Sequence, residues 1–433
     1  MPSVCVVGGG LAGLAAAAAL GDAGFDVELF ESRGFLGGRA TSYPVPGAEG
    51  EVIDNCQHIL LGCCVNLIDF YRRLGVEEKV HYYREFTFLE PGGRMSKLRA
   101  ATLPAPLHFG PSFLSMPCFE WSDRVSIARG MLAMMREHRR TDLDSITMLD
   151  WLRAHRQTTR AIDWFWSQVL VSAINEDLGR MAASHGFQVF RLGFLAGAAS
   201  SSMGIPAVPL ADLYSQEAWS RFPRVRIQTR AQVDSVEGGV GLAAGERRDP
   251  DAIVLAVPFE RASAIAPHVG LNFEGWDHSP ITGIHIWFDR AITGLPHATL
   301  LGRTIQWMFN KRDGRHIQLV VSASRSLTEM PRAEVIDLAL RELAEFIPAA
   351  AQARVERAHV VKEIRATFSA KPGLEMVRPK AETSDPKLFL AGDWTRSGWP
   401  ATMEGAVRSG YLAAEAVCRK LGSPRQYLKP DVA

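Results

Sequence analysis

Three glycines and one glutamate near the start of the chain carry the first legible chemistry. Gly8, Gly10 and Gly13 have the G-x-G-x-x-G spacing, directly after an apolar run and at the opening of an alanine-rich stretch. Gly8 permits a tight turn, Gly10 lets a backbone approach a pyrophosphate, and Gly13 lets helix and strand pack closely. The first helical residues, Leu11 and Ala12, offer free N–H groups and a positive dipole end to phosphates. Glu31 follows Gly13 by 18 positions. A carboxylate there accepts hydrogen bonds from both ribose hydroxyls and repels a 2′-phosphate, so the pattern reads as a dinucleotide site not built for NADP. The glycine-rich stretch 238–246 precedes a polar turn and a strand instead of a helix, and reads as a hairpin turn.

These residues need a strand–helix–strand unit to hold them. VCVV (4–7) is β-branched, residues 11–24 are helix-forming up to Gly24, and DVELFE (26–31) is a second strand. That is the start of a doubly wound α/β sheet. From about 60 to 200 the pattern reads as helices, with Asn66–Leu74, Asp123–Arg139, Ile146–His155 and Ala161–Ile174 the clearest. Strands return at 224–237 and 252–258, and 281–324 holds three more at meander spacing. A helix at Glu334–Phe346, a buried strand at 387–393 and a helix at Met403–Lys420 follow. The expected fold is therefore a Rossmann-like α/β nucleotide domain interleaved with a mixed α+β substrate domain. The nucleotide domain is assigned to 1–60, 205–275 and 380–420, the substrate domain to 61–204 and 276–379, and 421–433 to a loose tail.

Composition excludes several classes. The 433 residues are 47% apolar and 22% charged, which is globular and neither disordered, collagenous nor coiled-coil. With 48 Lys plus Arg against 47 Asp plus Glu, the net charge of +1 makes no case for nucleic acid. Six cysteines without a C-x-x-C pair read as reduced thiols in a cytoplasmic protein, and no metal is expected. Val4–Leu20 is apolar, but no basic residue precedes it and its glycines suit a nucleotide turn better than a signal core.

The residues after Glu31 narrow the cofactor. SRGFLGGRATS (32–42), LFLAGD (388–393) and WPATMEGAVRSGYLAAEAV (399–417) resemble the flavin-dependent amine oxidase and phytoene desaturase superfamily. The resemblance implies FAD. It places Ser32, Arg33, Gly38 and Arg39 around the pyrophosphate and flavin edge, Gly392 on a phosphate and Asp393 on the ribityl chain. It sets the Val233 backbone against adenine, and the Thr402 and Met403 N–H groups toward the flavin. A closer resemblance, carried by VIDNCQHILLGCC (52–64) and LAGDWTRSGWPATMEGAVRSG (390–410), is to the squalene-associated FAD-dependent desaturases, the hydroxysqualene dehydroxylases of hopanoid-type pathways. Arg396-Ser397 departs from that pattern, which bears on fine specificity.

The resemblance implies loss of an allylic hydroxyl as water and hydride transfer from reduced FAD, giving squalene. His58, titrating near neutrality, is the first choice for the acid, with Asp54 either orienting it or simply holding the loop; the alternative for His58 is a structural hydrogen bond to FAD or backbone. Glu404 is expected to be an exposed first-turn acid. Trp164, Phe165, Trp166, Phe187, Phe190, Phe194, Trp287, Phe288, Trp307 and Phe309 could line a tunnel for a C30 chain, with core packing the better reading for any one. Val125, Ala128, Met131, Leu132 and Met135 share a helix face near Arg136, Arg139 and Arg140; a core-facing helix is preferred over an interfacial one. Peripheral contact with a membrane is the most that this supports. An electron donor outside the chain is implied. The alternatives are a carotenoid desaturase or amine oxidase, and a prenyl-chain carrier without redox chemistry.

Overall fold

The computed structural model describes residues 1–45 and 50–432. Residues 46–49, inside the first segment assigned to the nucleotide domain, and Ala433, the end of the assigned tail, lie outside them. A five-stranded parallel sheet runs in the order Val225–Thr229, Asp26–Glu31, Ser3–Val7, Ala252–Leu255, Leu388–Leu390. Its central strands are buried on both faces, as a parallel sheet requires, which explains their unbroken apolar runs. Helix Leu11–Asp22 is buried from Leu11 to Leu20, and crosses helix Met403–Lys420 closely. A Cβ added to Gly410 would stand 2.2 Å from the Ala12 carbonyl oxygen. The alanines of the first helix are therefore a steric requirement of this crossing.

A seven-stranded sheet forms the second layer system, in the order Val355–Phe368, His278–Phe288, His316–Ser322, Trp307–Arg312, His297–Leu300, Glu85–Leu89, Met95–Arg99. Strand alternation divides it between two cores. Ile317, Leu319 and Val321 pack with Val335, Leu343 and Phe346 of helix Arg332–Phe346. Val320, Trp307 and Phe309 turn the other way, onto the helical insert. That insert contains helix Trp121–Glu137 and the helical run Thr159–Ile174, which passes through a π-helical turn at Ile162–Trp166.

The structure differs from expectation in three places and agrees at the glycine-rich stretch 238–246. Strands Val80–Tyr83, Glu85–Leu89 and Met95–Arg99 occupy part of the region read as helical, the last two joined around Pro91-Gly92-Gly93. The stretch 224–237 is two strands: Val225–Thr229 joins the parallel sheet and Val233–Ser235 a small antiparallel one, separated by Arg230 at φ +57°. Strand Val233–Ser235 is followed by a short meander, Val240–Leu242 and Arg247–Arg248, so 238–246 is a turn-rich hairpin region. The tail is fastened. The Tyr427 and Leu428 N–H groups donate to Glu415, the Lys429 N–H donates to Asn66, and Asp431 accepts from Trp399 and Arg408.

Candidate functional site

A cavity of about 650 Å³ opens at the carboxyl ends of the parallel strands and runs to the seven-stranded sheet. Gly8, Gly10, Leu11, Ala12, Glu31, Ser32, Arg33, Gly38, Arg39, His58, Val233, Gly392, Asp393, Thr402 and Met403 all line it. Gly13 and Asp54 do not.

The cradle end follows from backbone geometry. Gly8 sits at φ +111°, and an added Cβ would lie 2.5 Å from the Ala256 carbonyl oxygen. Gly13 stands behind the turn, where an added Cβ would come within 1.9 Å of the Gly8 carbonyl oxygen. Its role is close packing, and it acts on the site through the turn. Gly10 is the N-cap of helix Leu11–Asp22; no side chain caps it and no acid lies in the first turn. A helix N-terminus left uncapped toward a cavity suits an anionic group. Glu31 fixes the turn from the other side. Its carboxylate accepts from the Gly9 N–H at 2.7 Å and from the Arg33 N–H at 2.7 Å, tying the two loops that frame the ribose end. Arg39 pairs with Asp393 at 2.5 Å and donates to the Ala366 carbonyl at 3.1 Å, joining the N-terminal and C-terminal motifs across the cavity. Thr402 caps helix Met403–Lys420 by accepting from the Gly405 N–H at 3.0 Å. These features fit a dinucleotide whose distal end reaches the second sheet.

We expect Glu31→Ala to weaken FAD binding by about 1.5–3 kcal/mol, the scale of hydrogen bonds to a charged group. Titration of flavin-stripped protein with FAD, followed by flavin fluorescence, checks this; unchanged affinity would remove Glu31 from the site.

The far end corrects the assigned acid and its partner. Asp54 is buried away from the cavity, where it accepts from the Ser42 hydroxyl at 2.7 Å, the Leu210 N–H at 3.0 Å and Lys311 Nζ at 3.3 Å. It anchors the strand that leads into Asn55–His58 and cannot orient His58 directly. Lys311 also donates to Gln57 at 2.8 Å, and His285 Nε2 lies 3.2 Å from the Asp54 carbonyl oxygen. His58 lines the cavity, but burial holds its imidazole down at about 4, with Lys311 reinforcing and Asp54 opposing the effect. The ring is neutral at physiological pH, contrary to the expectation of titration near neutrality.

Asn55 and Glu363 were not singled out in the sequence, and the structure puts both on the cavity wall. The Asn55 amide donates to the Arg39 carbonyl at 2.9 Å and to Glu363 Oε1 at 3.2 Å. Its oxygen therefore faces His58 Nε2, at 3.2 Å, as the acceptor. Among the described residues Glu363 has no ion-pair partner, whereas Asp393 is paired with Arg39 and Glu31 is spanned by backbone donors. Only long-range pairing brings Glu363 here: strand Val355–Phe368 sets it opposite Ile281, another wall residue.

Two further expectations are settled by packing. Glu404 is buried, not exposed, and accepts from the Asn66 N–H, the Asn66 amide and the Leu67 N–H. It caps helix Val65–Leu74, and burial pushes its carboxyl up to about 7 against the pull of those donors. Trp166, Phe187 and Phe190 belong to a continuous aromatic core with Phe165 and Trp151, and do not line the cavity. Trp307 reaches the wall indirectly, donating to Ser172 at 2.7 Å. Arg378, also unsuspected, is buried beneath the loop that carries Asp393 and Thr402 and donates to the Asp393, Thr395 and Trp399 carbonyls.

Comparison with known proteins places this geometry. The family model described as flavin containing amine oxidoreductase matches residues 11–418. The chain is 28% identical to the hydroxysqualene dehydroxylase of Rhodopseudomonas palustris, over 96% of this chain and 98% of that protein. It is 26% identical to the 15-cis-phytoene desaturase of Solanum lycopersicum, over 96% of this chain and 77% of that protein. Among solved structures, putrescine oxidase bound to putrescine shares the fold at TM-score 0.73 and 17% identity, covering 96% of this chain and 99% of that one.

Proposed function

The chain belongs to the flavin-containing amine oxidoreductase family, with FAD as its cofactor, and within that family we propose that it reductively dehydroxylates hydroxysqualene to squalene. The reading places the protein in squalene and hopanoid biosynthesis. The observation that carries it is the far end of the cavity, where Glu363, Asn55 and His58 form one hydrogen-bonded group on the wall. A desaturase acting on a hydrocarbon has no hydroxyl to bind or protonate. A dehydroxylase needs both a hydroxyl-binding group and a proton donor. The chain is similar over its full length to a hydroxysqualene dehydroxylase, as it is to carotene desaturases, so the choice between them rests on the polar group at the cavity wall.

When bound, reduced FAD supplies the hydride that ends on the carbon that bore the hydroxyl. The chain's own residues do the rest. The uncapped helix start at Gly10 and the Arg39–Asp393 pair hold the cofactor's phosphate and polyol portions. Glu363 donates a proton to the substrate hydroxyl, which leaves as water. The Glu363 carboxyl lines the cavity and has no ion-pair partner among the described residues, so no basic side chain competes with the substrate for it. Neutral His58, tied to Asn55, positions the wall and adds no positive charge beside a developing allylic cation. The consumed proton returns to Glu363 from solvent, and the two electrons come from a reductant outside the chain. The water-insoluble substrate is collected at a membrane surface.

The test is anaerobic addition of hydroxysqualene to the dithionite-reduced protein. We expect the flavin to reoxidise with squalene appearing in equal amount. Reduced protein that ignores the alcohol, with oxidised protein that bleaches on phytoene, would assign the chain to the desaturases instead. A colourless protein that binds the chain without flavin would make it a carrier.

A further inference from the structure

Helix Trp121–Glu137 leaves an apolar stripe in solvent, unlike an ordinary surface helix whose apolar face turns to the core. Its exposed side carries Trp121, Val125, Ala128, Leu132 and Met135, a continuous stripe at steps of four and three; Met131 is only half-buried beside it. Its buried side is polar or small in part, with Asp123, Ser126 and Gly130 among the residues facing inward. The reason is visible in the packing. Asp123 accepts from the Thr158 hydroxyl at 2.6 Å, and Ser126 accepts from the Thr158 N–H at 3.0 Å. Gln157 donates to the Ser126 carbonyl at 2.7 Å, and a Cβ on Gly130 would meet the Trp166 ring at 2.8 Å. The helix is thus held by these polar contacts together with buried Ile127 and Met134, while its stripe from Trp121 to Met135 is left in solvent. Trp121 is 68% exposed and Leu132 46%.

The patch extends beyond the helix. Leu103, Leu107 and Leu114, on the segment just before it, are exposed as well, and Phe113 packs against Phe119 where that segment meets the helix. Among the described residues, seven of the fourteen large exposed hydrophobics lie between 103 and 135, so the exposure is concentrated rather than scattered. Its exposed charges are mostly basic, the acids being Glu120 at the helix start and Asp142, which pairs with Arg140. Arg129, Arg136 and Arg139 are exposed and form no ion pair among the described residues, while the nearby Glu137 is already engaged by Arg140, Trp151 and His155.

We propose that this face, residues 103–139, docks the protein on an anionic phospholipid bilayer, with helix Trp121–Glu137 lying in the plane of the interface. The inference rests on the reading of a bilayer-dissolved isoprenoid substrate for its purpose, but its physical basis is the patch itself. Apolar side chains enter the acyl boundary while the arginines meet lipid phosphates. A second copy of the chain fits less well. Arg129 is the middle residue of the helix, so an antiparallel two-fold pairing would set each Arg129 beside its own copy.

The experiment is flotation of the FAD-loaded protein with vesicles of phosphatidylethanolamine and phosphatidylglycerol, against vesicles of phosphatidylcholine alone. We expect the protein to float with the anionic vesicles and to be released by added salt. The double variant Trp121→Glu, Leu132→Asp should lose binding roughly tenfold or more, since two apolar anchors become charged. Its flavin content and melting temperature should match the wild type, because both side chains are solvent-exposed. Wild-type protein that stays in the aqueous fraction, floats equally with phosphatidylcholine, or floats unchanged after the double substitution overturns the proposal. So does a dimer in solution that the double substitution splits, which would give the face to a second copy. Lipid binding is read without substrate. Flotation without dehydroxylation would therefore fail the functional reading alone, and dehydroxylation without flotation would fail this inference alone.

Discussion

Glu363→Gln is expected to slow dehydroxylation of hydroxysqualene by ~10²–10⁴-fold while FAD stays bound, the range for a lost general acid. The substitution keeps the shape and an acceptor for the Asn55 amide, which lies 3.2 Å from Glu363 Oε1, so the wall should remain assembled. What is lost is the ability of that carboxyl to act as an acid. His58→Gln supplies the contrast. Burial holds its ring at about 4, so the imidazolium is scarce in the physiological range, and the N–H that remains on the neutral ring faces the Asn55 oxygen. Its loss should move turnover by no more than about tenfold, through positioning of Asn55. The sign of the histidine's shift gives a second readout. A histidine acid would lose activity as pH rises through about 6.5. With the folded value near 4, no such limb belongs to His58, and the wild-type and His58→Gln profiles should share their shape between pH 5 and 8. Single-turnover reoxidation of the reduced flavin measures the step directly. A Glu363→Gln protein that reoxidises at the wild-type rate would leave Glu363 a wall residue only.

The glycine cradle was legible because its constraints are local. Gly8, Gly10 and Gly13 act through turn geometry and close approach within a few residues, and the added-Cβ distances of 2.5 Å at Gly8 and 1.9 Å at Gly13 show why those positions admit no side chain. Glu31 was legible for the same reason, sitting at the end of the strand beside the first. The far end of the cavity was not, because its residues meet across hundreds of positions. Asn55 reaches Glu363 over 308 residues, and Asp54 meets Lys311 over 257, so no spacing announces either pair. Glu404 has the position of an exposed first-turn acid, and only the approach of helix Val65–Leu74 buries it. Helix Trp121–Glu137 has a readable apolar face, but periodicity alone does not say whether that face looks inward. Thr158 and Gln157 decide it by binding the opposite side. The missed strands at 85–99 alternate as strands should, with Phe86 and Phe88 buried, yet helical patterns on either side outweighed that short signal.

Arg378→Ala should be the most destabilising single substitution proposed here. The Arg378 guanidinium is only 2% exposed. Nη1 donates to Glu375 at 2.5 Å and the Trp399 carbonyl at 2.7 Å; Nη2 donates to the carbonyls of Asp393, at 2.8 Å, and Thr395. The three carbonyl acceptors lie along the loop between strand Leu388–Leu390 and helix Met403–Lys420, which presents Gly392, Asp393 and Thr402 to the cavity. Removing the fork leaves several buried carbonyl oxygens and the Glu375 carboxylate without a partner, a loss of about 3–5 kcal/mol by the scale of broken buried charge pairs. Arg378→Lys should recover less than half of that, because one ammonium cannot span acceptors that a planar fork reaches from two sides. Arg396→Ala, at an exposed neighbour that donates only to the Met376 carbonyl, should stay within about 1 kcal/mol of wild type. Thermal melts and the flavin-to-protein absorbance ratio report both consequences. The loop holds the Asp393 that pairs with Arg39, so flavin occupancy should fall in Arg378→Ala even at temperatures where the chain remains folded. Full flavin occupancy with an unshifted melt in that variant would show that the loop holds its shape without the buried arginine.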